Sequence, residues 1–166
     1  MKKLVDWRDF ENASVHLASQ FRGVSVDLIV GVGRGGLPLA VHLSHLLDCR
    51  NFGAVLARKT TSNKAFDFKD SNELELSPLL VMNDPDSEIR TILVAEDVVS
   101  RGDVLTNVEK LLRTTFGPSI TVFKVVLFAD KARIRANENS TLLENFHCFS
   151  EFDQASTWIV FPWETR

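Results

Sequence analysis

Residues 92–109 read Ile-Leu-Val-Ala-Glu-Asp-Val-Val-Ser-Arg-Gly-Asp-Val-Leu-Thr-Asn-Val-Glu, and the fold is decided there. Ile92 to Ala95 form an apolar run of strand length that ends in two adjacent carboxylates, Glu96 and Asp97. Ser100-Arg101-Gly102-Asp103 makes a tight turn, after which a helical stripe opens at Val104, Val108, Leu111 and Leu112. In an open α/β sheet, ligands sit beyond the carboxyl ends of the strands, and the N-terminus of the next helix can hold an anion. Paired acids beside such a turn suit a sugar diphosphate and its magnesium ion. The turn has a second reading that needs no ligand, because Ser100 with Asp103 three residues later has the form of a capping box. A strand-turn-helix junction looks the same in either case.

The flanking sequence repeats the pattern. Residues 7–22 carry Trp7, Phe10, Ser14, Leu17 and Phe21 at three- and four-residue steps, which predicts a helix covering the sheet, with Asp6 as N-cap and Gly23 as stop. Residues 26–32 predict a strand that runs into Gly33-Arg34-Gly35-Gly36, with a helix over 37–47 and Pro38 in its first turn. The glycines let backbone approach an anion closely, and Arg34 offers a planar fork for phosphate oxygens. Gly31-x-Gly33-x-x-Gly36 also satisfies a dinucleotide-binding fingerprint. The acid expected at the end of the next strand is missing; residues 52–57 end instead in Arg58 and Lys59, which leaves an NADP reading open. His42 and His45 lack an acidic partner in a metal-ligand pattern and read as packing or surface residues.

Residues 60–75 are polar and without clear periodicity, as in a lid or binding loop. Lys64 and Lys69 in it are candidates to reach a pyrophosphate, while Phe66 and Phe68 alternate as in a hairpin arm. A strand over 79–82, a turn at 83–86, a helix over 103–116, a β-branched strand over 120–128 and a short strand around Phe146 to Phe149 follow. This alternation predicts one α/β domain over residues 1–166, with a mostly parallel central sheet flanked by helices. Two tryptophans near the end, Trp158 and Trp163, read as core or interface anchors.

Composition narrows the function classes. The chain is 45% hydrophobic and 25% charged with a net charge of -3, so no basic footprint for nucleic acid is present. No run has the length of a membrane span, and the first residues lack a signal peptide's apolar core. Cys49 and Cys148 form neither a disulfide framework nor a zinc pattern, which favours a reducing, cytoplasmic setting.

Taken together, the motifs resemble the type I phosphoribosyltransferases, and among them the bacterial xanthine-guanine group. Gly33-Arg34-Gly35-Gly36-Leu37 is similar to the family's Ser-Arg-Gly-Gly-Leu pyrophosphate loop. Residues 94–102 resemble its phosphoribosyl-pyrophosphate (PRPP) motif, Val-Ile-Asp-Asp-Leu-Val-Asp-Thr-Gly-Gly-Thr. Thr157-Trp158-Ile159-x-x-Pro162-Trp163-Glu164 is very like the group's C-terminal signature. The resemblance implies transfer of a phosphoribosyl group from PRPP to a 6-oxopurine, with Mg2+, by a homo-oligomer. It implies that Glu96 and Asp97 hold the ribose hydroxyls and the metal, and that Arg34 and Gly35 bind pyrophosphate. Backbone amides of Ser100, Arg101, Gly102, Asp103 and Val104 would cradle the 5′-phosphate. Trp158 would stack on the base, the Ile159 backbone would read its edge, and residues 60–75, with Lys64 and Lys69, would form the lid.

The chain departs from the PRPP motif at four places. Ser100 stands where the family has an aspartate at the purine N7 proton, and a hydroxyl does not accept a proton near neutral pH. Arg101 and Asp103 replace a threonine and a glycine, and Val104 replaces the last hydroxyl. An aspartate at a phosphate-binding helix terminus repels its ligand, unless Arg101 takes the phosphate directly. Asp130 occupies the place of the lysine that contacts the purine oxygen, and Lys131 comes one residue late. A second expectation therefore stands beside the enzyme: a non-catalytic relative that binds a nucleotide or phosphate and regulates.

Overall fold

The computed structural model describes residues 1–58, 74–136 and 140–164. Among them the strands are β1 (Lys2–Leu4), β2 (Leu28–Val32), β3 (Phe52–Val55), β4 (Ala57–Arg58), β5 (Glu75–Leu76), β6 (Leu80–Met82), β7 (Thr91–Val99), β8 (Thr121–Ala129), β9 (Phe146–Glu151) and β10 (Trp158–Val160). The helices are α1 (Trp7–Ser19), α2 (Gly33–Leu46), α3 (Asp103–Phe116) and α4 (Lys131–Ala136). Six strands form the central sheet in the order β6-β3-β2-β7-β8-β9. All neighbours are parallel except the edge strand β6, which runs antiparallel to β3. The α/β class and the mostly parallel sheet agree with the expectation from the alternating pattern.

The sheet is buried on both faces, as continuous apolar strands require. Leu93, Ala95, Val125 and Leu127 face α1 and α2 together with Phe10, Leu17, Leu39 and Leu43. Ile92, Val94, Val122 and Val126 face α3 with Leu105, Val108 and Leu112. At its N-terminus α1 is capped as its sequence foretells, since Asp6 and Asp9 exchange backbone-to-carboxylate hydrogen bonds of 2.8 and 3.2 Å, but the helix ends at Ser19 with Gln20 as its C-cap, short of the expected stop at Gly23. Lys124, on β8, is buried and reaches Glu109 of α3 at 2.9 Å, and Arg113 holds the same carboxylate at 2.7 Å.

Two further local expectations are corrected. α2 begins at Gly33, four residues earlier than predicted, because the glycine run itself coils into the first turn; Pro38 therefore falls in the second. The Ser100–Asp103 capping box does not form. α3 starts from Gly102, whose left-handed φ of +88° supplies the turn, with no side-chain cap. One feature was unforeseen: β1 pairs in parallel with β10, matching Lys2 to Trp158 and Leu4 to Val160, so the first residues hold the C-terminal segment.

Candidate active site

The carboxyl ends of β2 and β7 lie side by side, which brings the glycine turn to the acid pair. Gly35 and Gly36 make this approach possible. A Cβ on Gly36 would strike the Ala95 carbonyl and come within 3.0 Å of the Glu96 Cα, and one on Gly35 would overlap the Asp97 carboxylate. Asp97 thus lies against the first turn of α2. Its Oδ1 accepts a hydrogen bond from Val98 N–H at 2.8 Å. Burial, joined by the nearby Glu164 carboxylate and opposed by backbone N–H groups, pushes the Asp97 carboxyl up to about 6. Glu164 belongs to the terminal turn Pro162–Glu164 and is held there by Phe161 N–H at 3.0 Å. Glu96, adjacent on the strand and opposite Val126, points to the other face by the alternation of the pleat.

The turn after β7 is built differently from its sequence reading. Leu142 packs where a Cβ on Gly102 would stand. Arg101 Nε lies 3.5 Å from Asp103 Oδ2, so the two substituted residues pair with each other at the start of α3. Ser100 Oγ lies 3.5 Å from Arg133 Nη1, and Arg133 also donates to Gln154 Oε1 at 3.1 Å.

Asp130 organises this neighbourhood. It is buried, and its own N–H bonds the Val99 carbonyl at 2.9 Å. Its carboxylate accepts from Arg133 N–H at 3.0 Å and from Gln154 N–H at 3.1 Å. One residue thereby ties the end of β7, through its backbone, to α4 and the loop before β10, through its carboxylate. Lys131 goes elsewhere, forming an ion pair with Glu151 at 3.0 Å. Its other neighbour is Cys148, which packs with the α3-side cluster, whereas Ile159 is buried in the α1/α2-side cluster.

The C-terminal segment lies on the Asp97 side of the sheet. Trp158 is half-buried on β10, and beyond it Phe161 stacks on Trp163 at 4.7 Å with Phe10 edge-on. Arg34 is exposed in the first turn of α2. Lys64 and Lys69 lie outside the described residues; β4 and β5, which flank that segment, pair antiparallel. Arg133 and Gln154 were missed by sequence reading, since nothing in their spacing marks a pair 21 residues apart.

Comparison with known proteins settles the family. The family model for the phosphoribosyl transferase domain matches residues 1–166. The chain belongs to this family. A purine phosphoribosyltransferase from Pyrococcus horikoshii Ot3 shares its fold with a TM-score of 0.67 and 21% identity, over 99% of this chain and 95% of that one. The Helicobacter pylori xanthine-guanine-hypoxanthine phosphoribosyltransferase gives 0.68 and 22%, over 99% and 95%. A hypothetical protein from Neisseria gonorrhoeae with bound ppGpp gives 0.61 and 22%, over 99% and 90%. A search of curated proteins found no match. Membership of the phosphoribosyltransferase family, in place of a dinucleotide-binding one, displaces the NADP reading of the glycine run at 33–36. No described helix is long and apolar enough to cross a membrane.

Proposed function

We propose that this phosphoribosyltransferase moves the phosphoribosyl group of PRPP to a 6-oxopurine, guanine, xanthine, hypoxanthine or a relative. The observation that carries the reading is Asp97, seated against Gly35 between the α2 turn and the C-terminal segment. The two purine enzymes that match over nearly the whole chain support the base class.

Among the described residues no group of three or more His, Cys, Asp or Glu comes together. Magnesium does not need one, since it is commonly held by one or two carboxylates with waters and substrate phosphates. Asp97 suits that role as a hard oxygen donor whose anion is disfavoured until a cation arrives. It would hold the ion and the ribose hydroxyls on its own face of the sheet, whereas Glu96, the second carboxylate the sequence offered for this role, is directed to the opposite face; the ion when bound neutralises pyrophosphate charge.

The remaining chemistry rests on the chain's own groups. Arg34 and the backbone at Gly35 bind the leaving pyrophosphate, and the amides at 100–104 take the 5′-phosphate. Trp158 stacks on the purine while the Ile159 backbone reads its edge. The bond from C1′ to pyrophosphate breaks as the bond to the purine nitrogen forms, through an oxocarbenium-like state. Ser100 supplies no base, so rate comes from positioning and charge neutralisation, and water takes the purine proton. Lys64 and Lys69 belong to the lid in this reading, and Lys131, drawn to Glu151, is left outside the base site.

We place the reaction in the cytoplasm, which the two free cysteines support, and assign a homo-oligomer, which the exposed Leu80 and Met82 on edge strand β6 support. A regulatory relative that binds a nucleotide without turnover is the second reading, favoured by the Arg101–Asp103 pair at the start of α3. Purine-dependent pyrophosphate release from PRPP, screened over bases with magnesium, tests the first. Saturable binding with no release would select the second.

A further inference from the structure

We propose that Arg133 is a phosphate-binding residue of this site, the cation that replaces what the altered turn has lost. The inference rests on the PRPP reading above. Where the family motif has two threonine hydroxyls, this chain has Arg101 and Val104, and Arg101 is paired with Asp103. The turn therefore contributes its amides and a compensated ion pair, which is a weak receptor for a phosphate dianion. Lys131 cannot help, because Glu151 holds it.

Arg133 fills the gap by placement. Its backbone N–H is fixed by the buried Asp130 carboxylate, and the same carboxylate fixes Gln154, whose Oε1 receives Arg133 Nη1. This double anchorage aims the guanidinium at Ser100 Oγ, two residues before the left-handed Gly102. Both side-chain partners of Arg133 are neutral. Its Nε and Nη2 make no hydrogen bond among the described residues, and those two nitrogens form one edge of the planar fork that grips phosphate oxygens in pairs. A surface arginine is ordinarily free to wander through many rotamers. This one is held at the mouth of the turn with its binding edge open.

The test is calorimetric titration of the full chain with ribose 5-phosphate and with PRPP plus magnesium, for the wild type, Arg133→Ala, Arg133→Lys and Gln154→Ala. Charge-assisted hydrogen bonds of this kind predict that Arg133→Ala weakens both ligands by roughly ten- to a hundredfold. Arg133→Lys should recover part of the loss, and Gln154→Ala should show a smaller loss through a loosened guanidinium. In turnover, KM for PRPP should rise with kcat little changed, and thermal stability should stay near the wild type because the side chain is exposed. Wild-type affinity for both ligands in Arg133→Ala would overturn the inference while leaving the PRPP reading intact. So would a loss confined to the purine. Failure of the wild type to bind either ligand would overturn both.

Discussion

Replacing Asp97 by Asn should stabilise the ligand-free protein, and by an amount that depends on pH in a defined way. The Asp97 carboxyl is displaced from its ordinary 3.8 to about 6, with burial as the leading cause. Between those values the native state binds more protons than the unfolded chain, so the contribution of this group to stability falls as pH rises. Above about pH 6 the fall is complete and amounts to about 3 kcal/mol, as an order of magnitude. Asn keeps an acceptor for Val98 N–H and carries no charge to bury. The variant should match the wild type near pH 4 and exceed it progressively up to about pH 7, with no further gain beyond. Urea unfolding of both proteins across that range reads the difference directly. Magnesium with PRPP should then stabilise the wild type and leave Asp97→Asn unmoved. An equal stability gap at pH 4 and at pH 7.5 would refute the reasoning, because it would mean that the charge at Asp97 is not what burial disfavours.

Three further changes probe separate parts of the account. Gly35→Ala puts a methyl into the Asp97 carboxylate; overpacking of this kind costs about 1–3 kcal/mol, and PRPP affinity should drop with the displaced carboxylate, as a thermal melt and a titration would show. Glu109→Ala strands the buried Lys124 ammonium, so denaturant unfolding should show a loss of about 3–5 kcal/mol, largely recovered when Lys124→Met is added. Trp158→Ala should raise KM for the purine by roughly tenfold or more, given base-aromatic stacking of about 1–3 kcal/mol, with PRPP affinity unchanged; an unaltered purine KM would remove Trp158 from the base site.

Local patterns carried much of the fold. α3 runs from Asp103 to Phe116, where its periodicity put it, because a left-handed glycine and a Gly-Pro break bound a single apolar stripe. The start of α2 was misjudged because Gly33 to Gly36 read as a loop by propensity, while packing against β7 makes them helix. Ser100 and Asp103 had the spacing of a cap, yet Ser100 turns to Arg133 and Asp103 to Arg101, partners that spacing does not reveal. The pairing of β1 with β10 joins residues more than 150 positions apart, and three-residue strands carry too little alternation to announce themselves. Asp130 shows the same limit. In sequence it was a missing lysine; in space it is the joint between β7, α4 and the loop before β10.

The measurement that bears most directly on the central claim is calorimetric titration of the protein with PRPP, with and without magnesium. The account predicts saturable binding that strengthens with magnesium at pH 7.5 and weakens as Asp97 takes up its proton near pH 6. Binding that ignores magnesium, or none at millimolar PRPP, would contradict the assignment of Asp97 to the sugar diphosphate.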